Sequence, residues 1–220
     1  TVGDAKERFS EDALRMLRAA RLAIQLGFTI EPKTETAIKK LAGNLELIAK
    51  ERIRDEFVKI ILEPKAKEGL ELLRELNLLK YIAPELEEGI GVDQRGPHKY
   101  QVWEHALKAL EYAASQNWSL RVRLAALFHD VGKPRTRERR GGIWTFYGHD
   151  VVGAKMAYAI LTWLCFPAKG VEAVADLVRW HLFSYHLRRD DQFAADMRAM
   201  GENPNEKDIE DSEEEMQETT

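Results

Sequence analysis

The chain has a single cysteine, Cys165, among its 220 residues, which excludes an intrachain disulfide and any thiolate metal cluster. Cys165 lies in an apolar stretch with Leu161, Trp163, Leu164 and Phe166, usage that fits a reducing cytosol. No uninterrupted apolar run approaches the roughly 20 residues needed to cross a bilayer, and no basic-then-apolar leader opens the sequence. The expectation is a soluble, cytoplasmic protein. It starts at Thr1 rather than Met, which points to processing or to a piece of a longer chain. Strand signals are nearly missing: only Gly141-Gly142, followed by Ile143, Trp144, Thr145, Phe146 and Tyr147, admits one small hairpin. Histidine is absent from the first 97 residues.

What is present divides by charge. Lys plus Arg against Asp plus Glu is 16 against 17 over residues 1–90, 15 against 8 over 91–189, and 2 against 12 over 190–220. A basic middle attracts anions such as phosphates, although attraction alone does not define a chemistry. The acidic end, poor in aromatics, cannot bury enough apolar surface to offset its ordering entropy and is expected to be disordered.

Leu14, Leu17, Ala20, Ile24 and Phe28 recur at helical steps and predict one helix over residues 10–28, capped by Ser10, with Glu11 and Asp12 in its first turn and Gly27 at its end. Arg15, Arg18 and Arg21 form a ridge on a neighbouring face. It can meet the phosphate backbone of an RNA, or it is a solvated ridge paired with acids. Further helices are predicted over 34–41, 51–62 and 66–76, then a stretch over 78–86 broken by Pro84. Gly89, Gly91 and Gly96-Pro97 make the best linker. Beyond it, helices over 100–114 and 119–130 precede a Gly/Pro/Arg loop over 132–142 and helices near 148–164 and 170–183. The chain has length for one sizeable core or two small ones. The expected fold class is all-α: a helical subdomain over 1–90, a second helical domain over 91–190, and the acidic tail over 191–220.

All six histidines, His98, His105, His129, His149, His181 and His186, fall in the second part. One histidine on a helix is usually a core or surface residue, but several on separate helices favour a site. His129-Asp130 ends the apolar run Leu124, Ala125, Ala126, Leu127, Phe128, so the run carries an imidazole and a carboxylate inward together. A buried carboxylate is tolerated when it is paired or binds a cation; the plainer alternative is that Asp130 caps the turn or pairs with Lys133. His105 can come from a facing helix to complete a mixed nitrogen and oxygen set, unlike the closed cysteine-rich shell of structural zinc. His149 and His181 are candidates for a second metal, with Asp130 as bridge, or for holding phosphate. Lys133, Arg135, Arg137, Arg139 and Arg140 crowd the following loop, where guanidinium and ammonium groups suit an anionic ester. His98 is a candidate substrate contact, and His186 reads as a surface residue.

The run RLAALFHDVGKPRT over 123–136, with EH at 104–105, FYGHD at 146–150 and VRWH at 178–181, resembles the HD phosphohydrolase superfamily. The stretch RFSEDALRMLRAARLAIQLGFTI over 8–30, with ERIRDEFVKIIL over 51–62, is similar to the RNA-binding neck that follows the catalytic head in bacterial tRNA nucleotidyltransferases, the CCA-adding enzymes and poly(A) polymerase relatives. The resemblance implies a divalent metal (Mn, Ni, Mg, Fe or Co) on His105, His129 and Asp130, joined by His149 and His181. Asp191 is the candidate for the last carboxylate ligand, with Asp190 second. It further implies catalytic roles for Asp130 and Lys133, phosphate contacts from Lys133, Arg135, Arg137 and His98, and tRNA as the larger partner. The head's glycine-serine turn and paired metal-binding aspartates are absent, so nucleotide addition is not expected from this chain alone. The expected function is a phosphatase or 2',3'-cyclic phosphodiesterase acting on nucleotides or RNA ends. The competing expectation is a non-catalytic body that cradles tRNA for a nucleotidyltransferase head.

Overall fold

The computed structural model describes residues 3–94 and 100–183; all of them up to Trp180 belong to one unit, Thr1–Trp180, and a second unit begins at His181. His98, His186, Asp190, Asp191 and the acidic tail lie outside the described residues.

In the first unit the fold is all-α. α1 (Ala5–Glu11) and α2 (Leu14–Leu26) replace the single helix expected over 10–28. The break lies at Asp12, whose backbone is extended and whose carboxylate accepts the N–H of Leu14 at 3.1 Å, a local bond that competes with the helix. Asp4 caps α1, accepting from the N–H groups of Lys6 and Glu7, while Ser10 sits inside the helix and donates to the Lys6 carbonyl. The expected Ser10 cap is therefore corrected to Asp4. Gly27 ends α2 in the left-handed region, as the sequence implied. α3 (Pro32–Leu41) starts two residues before the expected Thr34, because Pro32 is pre-set for a first helical turn and the Glu31 carboxylate caps it.

α4 (Lys50–Leu62) and α5 (Ala66–Glu75) follow, then 3-10 turns at Leu79–Tyr81 and Pro84–Gly89. α6 (Val102–Ser115), α7 (Leu120–Phe128), α9 (His149–Trp163) and α10 (Ala168–Arg179) form the second half. The expected loop over 132–142 instead contains a single-turn helix, α8 (Lys133–Thr136), and the first strand of the expected hairpin, β1 (Glu138–Arg140) with β2 (Ile143–Thr145).

One buried core runs from Phe9 to Val178 through both halves. α4 meets α7, α5 meets α6, and α7 is sandwiched between α6 and α10. Gly89, read as part of a linker, is buried against α6: a Cβ there would come within 3.0 Å of Val102 Cγ1 and 3.2 Å of the Trp103 nitrogen.

Arg123, on α7 and 3% exposed, joins the halves. Its Nη1 donates to the carbonyls of Ile61, Leu62 and Glu63 at 3.1, 2.8 and 3.2 Å, and its Nε donates to the Trp118 carbonyl at 2.9 Å. Those first three carbonyls are the orphan acceptors at the negative end of α4, where a cation is favoured. Arg123→Met keeps the stem and strands the carbonyls, so unfolding free energy should fall by about 3 kcal/mol. Chemical denaturation checks this, and an unchanged midpoint would refute the bridging role.

Candidate metal centre

α7 is apolar nearly all round because it is enclosed, and it ends by delivering His129 and Asp130 into a tight turn. Val131 N–H bonds the Phe128 carbonyl and Lys133 N–H bonds the Asp130 carbonyl, both at 3.0 Å, so the chain reverses directly into α8. Asp130 is 1% exposed. Around its Oδ2 stand His129 Nε2 at 3.0 Å, Lys133 Nζ at 2.7 Å and His105 Nε2 at 3.5 Å, with His149 Nε2 at 3.4 Å from Oδ1. The ligand atoms of His105, His129 and Asp130 all lie within 4.8 Å of one another.

The second-rank contacts fix the imidazoles. His129 Nδ1 lies 2.8 Å from the Ala126 carbonyl and His149 Nδ1 lies 2.7 Å from the Phe146 carbonyl. A carbonyl can only accept, so both Nδ1 atoms carry hydrogens and both Nε2 atoms point their lone pair or second proton toward Asp130. Lone pairs facing a carboxylate repel unless a proton or cation lies between them. That donor set, nitrogen and oxygen with outer nitrogens tied to the backbone, fits a divalent cation. His105 is the most exposed member, so the cluster opens toward solvent on that side.

Burial pushes the Asp130 carboxyl up, but hydrogen bonds from His129 and His149 and the charges of His129 and Lys133 outweigh it, leaving the group well below the carboxylate range. Asp130 is thus ionised and a ready cation ligand. The alternative pairing with Lys133 is also present, and it coexists with the histidine cluster.

The HD domain family model matches residues 102–214, just over half of the chain. This chain belongs to the HD domain family. A second family model, described as the probable RNA and SrmB-binding site of polymerase A, matches residues 27–90 of the stretch before the HD domain. The chain is 43% identical over 187 residues to the CC-adding tRNA nucleotidyltransferase of Thermus thermophilus, covering 80% of this chain and 43% of that protein. It is 41% identical to the A-adding tRNA nucleotidyltransferase of Deinococcus radiodurans, over 81% of this chain and 43% of that one. The Multifunctional CCA protein of Neisseria gonorrhoeae is 31% identical over 81% of this chain and 44% of its own. The chain thus spans less than half the length of these relatives.

The other expected site residues fall in several places. Lys133 is buried beside Asp130 and also donates to Gln94 Oε1. Gln94, 5% exposed, was missed: it follows no helical period and reaches Lys133 only through the fold. Arg135 is engaged by Glu88 through bonds of 2.8 and 2.6 Å. Arg137 lies over the Trp144 ring, 4.1 Å from its centroid. Asp150, next to His149, pairs with Arg179, tying the start of α9 to the end of α10. His181 is the first residue of the second unit. Among the described residues no helix is long and apolar enough to cross a membrane.

The arginine ridge is paired with acids. Arg15 meets Glu11 at 2.6 Å, while Arg18 and Arg21 meet Glu56 at 3.4 and 2.8 Å, where Lys59 also binds at 3.1 Å. Burial raises the Glu56 carboxyl, yet hydrogen bonds from Arg21 and Lys59 prevail and hold it below its ordinary 4.5. Its stabilising contribution is therefore complete above that pH and is lost as pH falls through the lower folded value. Glu56→Gln should cost about 2 kcal/mol at neutral pH. Denaturation curves at a series of pH values should show the difference closing in acid; a constant gap would contradict the assignment.

Proposed function

We propose that this chain is the metal-dependent phosphohydrolase portion, a phosphatase or 2',3'-cyclic phosphodiesterase, of a tRNA-processing protein of the nucleotidyltransferase family. The observation that carries the reading is the convergence of His105, His129 and His149 on the single buried carboxylate of Asp130. His105, His129 and Asp130 would hold the divalent cation, with His149, His181 and Asp191 as further ligands or phosphate contacts. A bound divalent cation brings the pKa of its water toward neutrality and shields phosphate charge. Asp130 supplies the anionic ligand, and Lys133 holds its orientation through one N–H. A second N–H of Lys133 goes to Gln94, so the third is available to a phosphate oxygen. Arg135 would reach phosphate only by releasing Glu88.

The organisation that goes with this reading is a helical neck over 1–90, an HD domain over 91–190 and an acidic tail beyond. Arg15, Arg18 and Arg21 would contact RNA by exchanging their acids for phosphates, in a salt-dependent manner. The match over residues 27–90 and the names of the relatives favour a second reading, in which the chain is a non-catalytic tRNA-binding body. One experiment separates them. The chain is purified with Mn, Ni or Mg, bound metal is measured, and cyclic 2',3'-AMP and a generic phosphomonoester are assayed beside a His129→Ala, Asp130→Ala double variant. Metal and turnover in the parent alone support the enzyme; equal rates in both proteins remove it.

A further inference from the structure

The β1–β2 hairpin carries a cluster that the metal centre does not use. Its register pairs Glu138 with Thr145, Arg139 with Trp144 and Arg140 with Ile143. The two-residue turn, Gly141 and Gly142 at φ +55 and +82, needs the left-handed backbone that glycine accepts, and it matches the twist of the strands. Alternation then sorts the side chains. Glu138, Arg140, Ile143 and Thr145 share one face, where Glu138 neutralises Arg140 at 2.7 Å. Arg139 and Trp144 share the other.

Arg137 joins Trp144 by laying its guanidinium on the indole at 4.1 Å. Its Nε is buried with no hydrogen-bond partner. Burying a guanidinium N–H without an acceptor is costly, and the cation–π contact with the Trp144 ring is what offsets it, so the two side chains hold each other as one flat unit. The stack is linked to the metal centre along the chain, just past the end of β2. Phe146, two residues after Trp144, gives its carbonyl to His149 Nδ1 at 2.7 Å and has its ring 5.9 Å from Lys133 Nζ. Two residues of extended chain span roughly 7 Å, a reach comparable to that between the base and the phosphate of one nucleotide.

We propose that the Arg137–Trp144 stack is the base-recognition element of this site, taking a nucleobase against its π surface while the ester phosphate lies at His129-Asp130. The inference rests on the phosphohydrolase reading and adds to it the residues that would select a nucleotide over a small phosphomonoester. Arg137, expected from the sequence to bind phosphate, is reassigned to the base. Stacking is tolerant of base identity because every base has a π face, so the selection is for a base as such. The base can belong to a free nucleotide or to the end of an RNA strand.

The test is a calorimetric titration of the full Mn-loaded chain with AMP, with inorganic phosphate, and with a short single-stranded oligoribonucleotide ending in a 3'-phosphate. Trp144→Ala should weaken AMP by about tenfold or more and leave inorganic phosphate within about twofold, Trp144→Phe should restore most of the loss, and Arg137→Lys should weaken AMP while keeping the charge. Oligonucleotide binding tighter than AMP, and equally dependent on Trp144, assigns the base to a strand end; AMP binding tighter than the oligonucleotide assigns it to a free nucleotide. AMP affinity indifferent to Trp144, or falling together with that of phosphate, overturns the proposal. Binding is read without turnover, so a chain that binds AMP through Trp144 but hydrolyses nothing would lose the enzymatic reading and keep this one.

Discussion

Replacing Asp130 by asparagine should abolish metal binding, lower any phosphoester hydrolysis by about 10³-fold or more, and cost about 3 kcal/mol of stability. Three imidazoles and one ammonium converge on the two oxygens of this side chain, which is 1% exposed. Asparagine keeps the shape but removes the charge and turns one oxygen into a donor, which then faces other donors. Lys133, 7% exposed, would remain buried with only neutral amide oxygens as acceptors, and leaving a buried charge without a counter-charge is what makes the stability loss large. A second substitution separates the two effects. Adding Lys133→Met to Asp130→Asn should recover part of the stability and none of the metal binding. In the metal-free parent, the depressed Asp130 carboxyl stabilises the fold fully above its ordinary value of 3.8, and the contribution is lost as pH falls through the lower folded value. Metal analysis, denaturation and the phosphoester assay read all three. An Asp130→Asn protein that still holds its metal and turns over at the parent rate would sink the assignment.

Much of this was legible because the fold obeys one period. Leu14, Leu17 and Ala20 repeat at helical spacing and all three are buried, whereas Phe28, read in the same series, lies beyond the end of α2 and is exposed; the run Leu124 to Phe128 announced the enclosure of the second half of α7 by being wholly apolar. The HD pair was legible for the same reason: an apolar run ending in His129-Asp130 pointed them inward, and Asp130 is buried both against the imidazoles and against Lys133, the partner the plainer alternative had named. What was not legible depends on local competition or on distance in the chain. Asp12 breaks α1 from α2 by a side-chain bond to Leu14 that no periodicity records. Gln94 and Lys133 are 39 residues apart, and Arg123 and Leu62 are 61 apart, so neither pairing leaves a pattern in sequence. Arg18 and Arg21 could be read as a ridge but not as partners of Glu56, which lies on another helix. The hairpin was foreseen from Gly141-Gly142, whereas the stacking of Arg137 on Trp144 required the register to be known.

Among the described glycines, Gly132→Ala should be the most damaging substitution by a single methyl, although Gly132 has an ordinary backbone with φ −78. The reason is proximity and not conformation. A Cβ at this position would lie 2.3 Å from the His149 carbonyl oxygen and 2.6 Å from the Gly153 nitrogen, both backbone atoms that no rotamer change can move. The turn carrying His129 and Asp130 would have to part from the first turn of α9, taking His149 with it. A displacement of the order of 1 Å at a reacting centre costs about 10²-fold in rate, and overpacking at a rigid contact adds about 1–3 kcal/mol of instability. The facing glycine supplies the control. A Cβ on Gly153 would meet the Gly132 nitrogen at 3.3 Å and Val178 Cγ1 at 3.5 Å, so Gly153→Ala needs only tenths of an ångström and should lose far less. Metal affinity, thermal midpoint and turnover measured on the two variants side by side should therefore diverge. If Gly132→Ala matched Gly153→Ala in all three, the close approach would not be what sets His149 against Asp130.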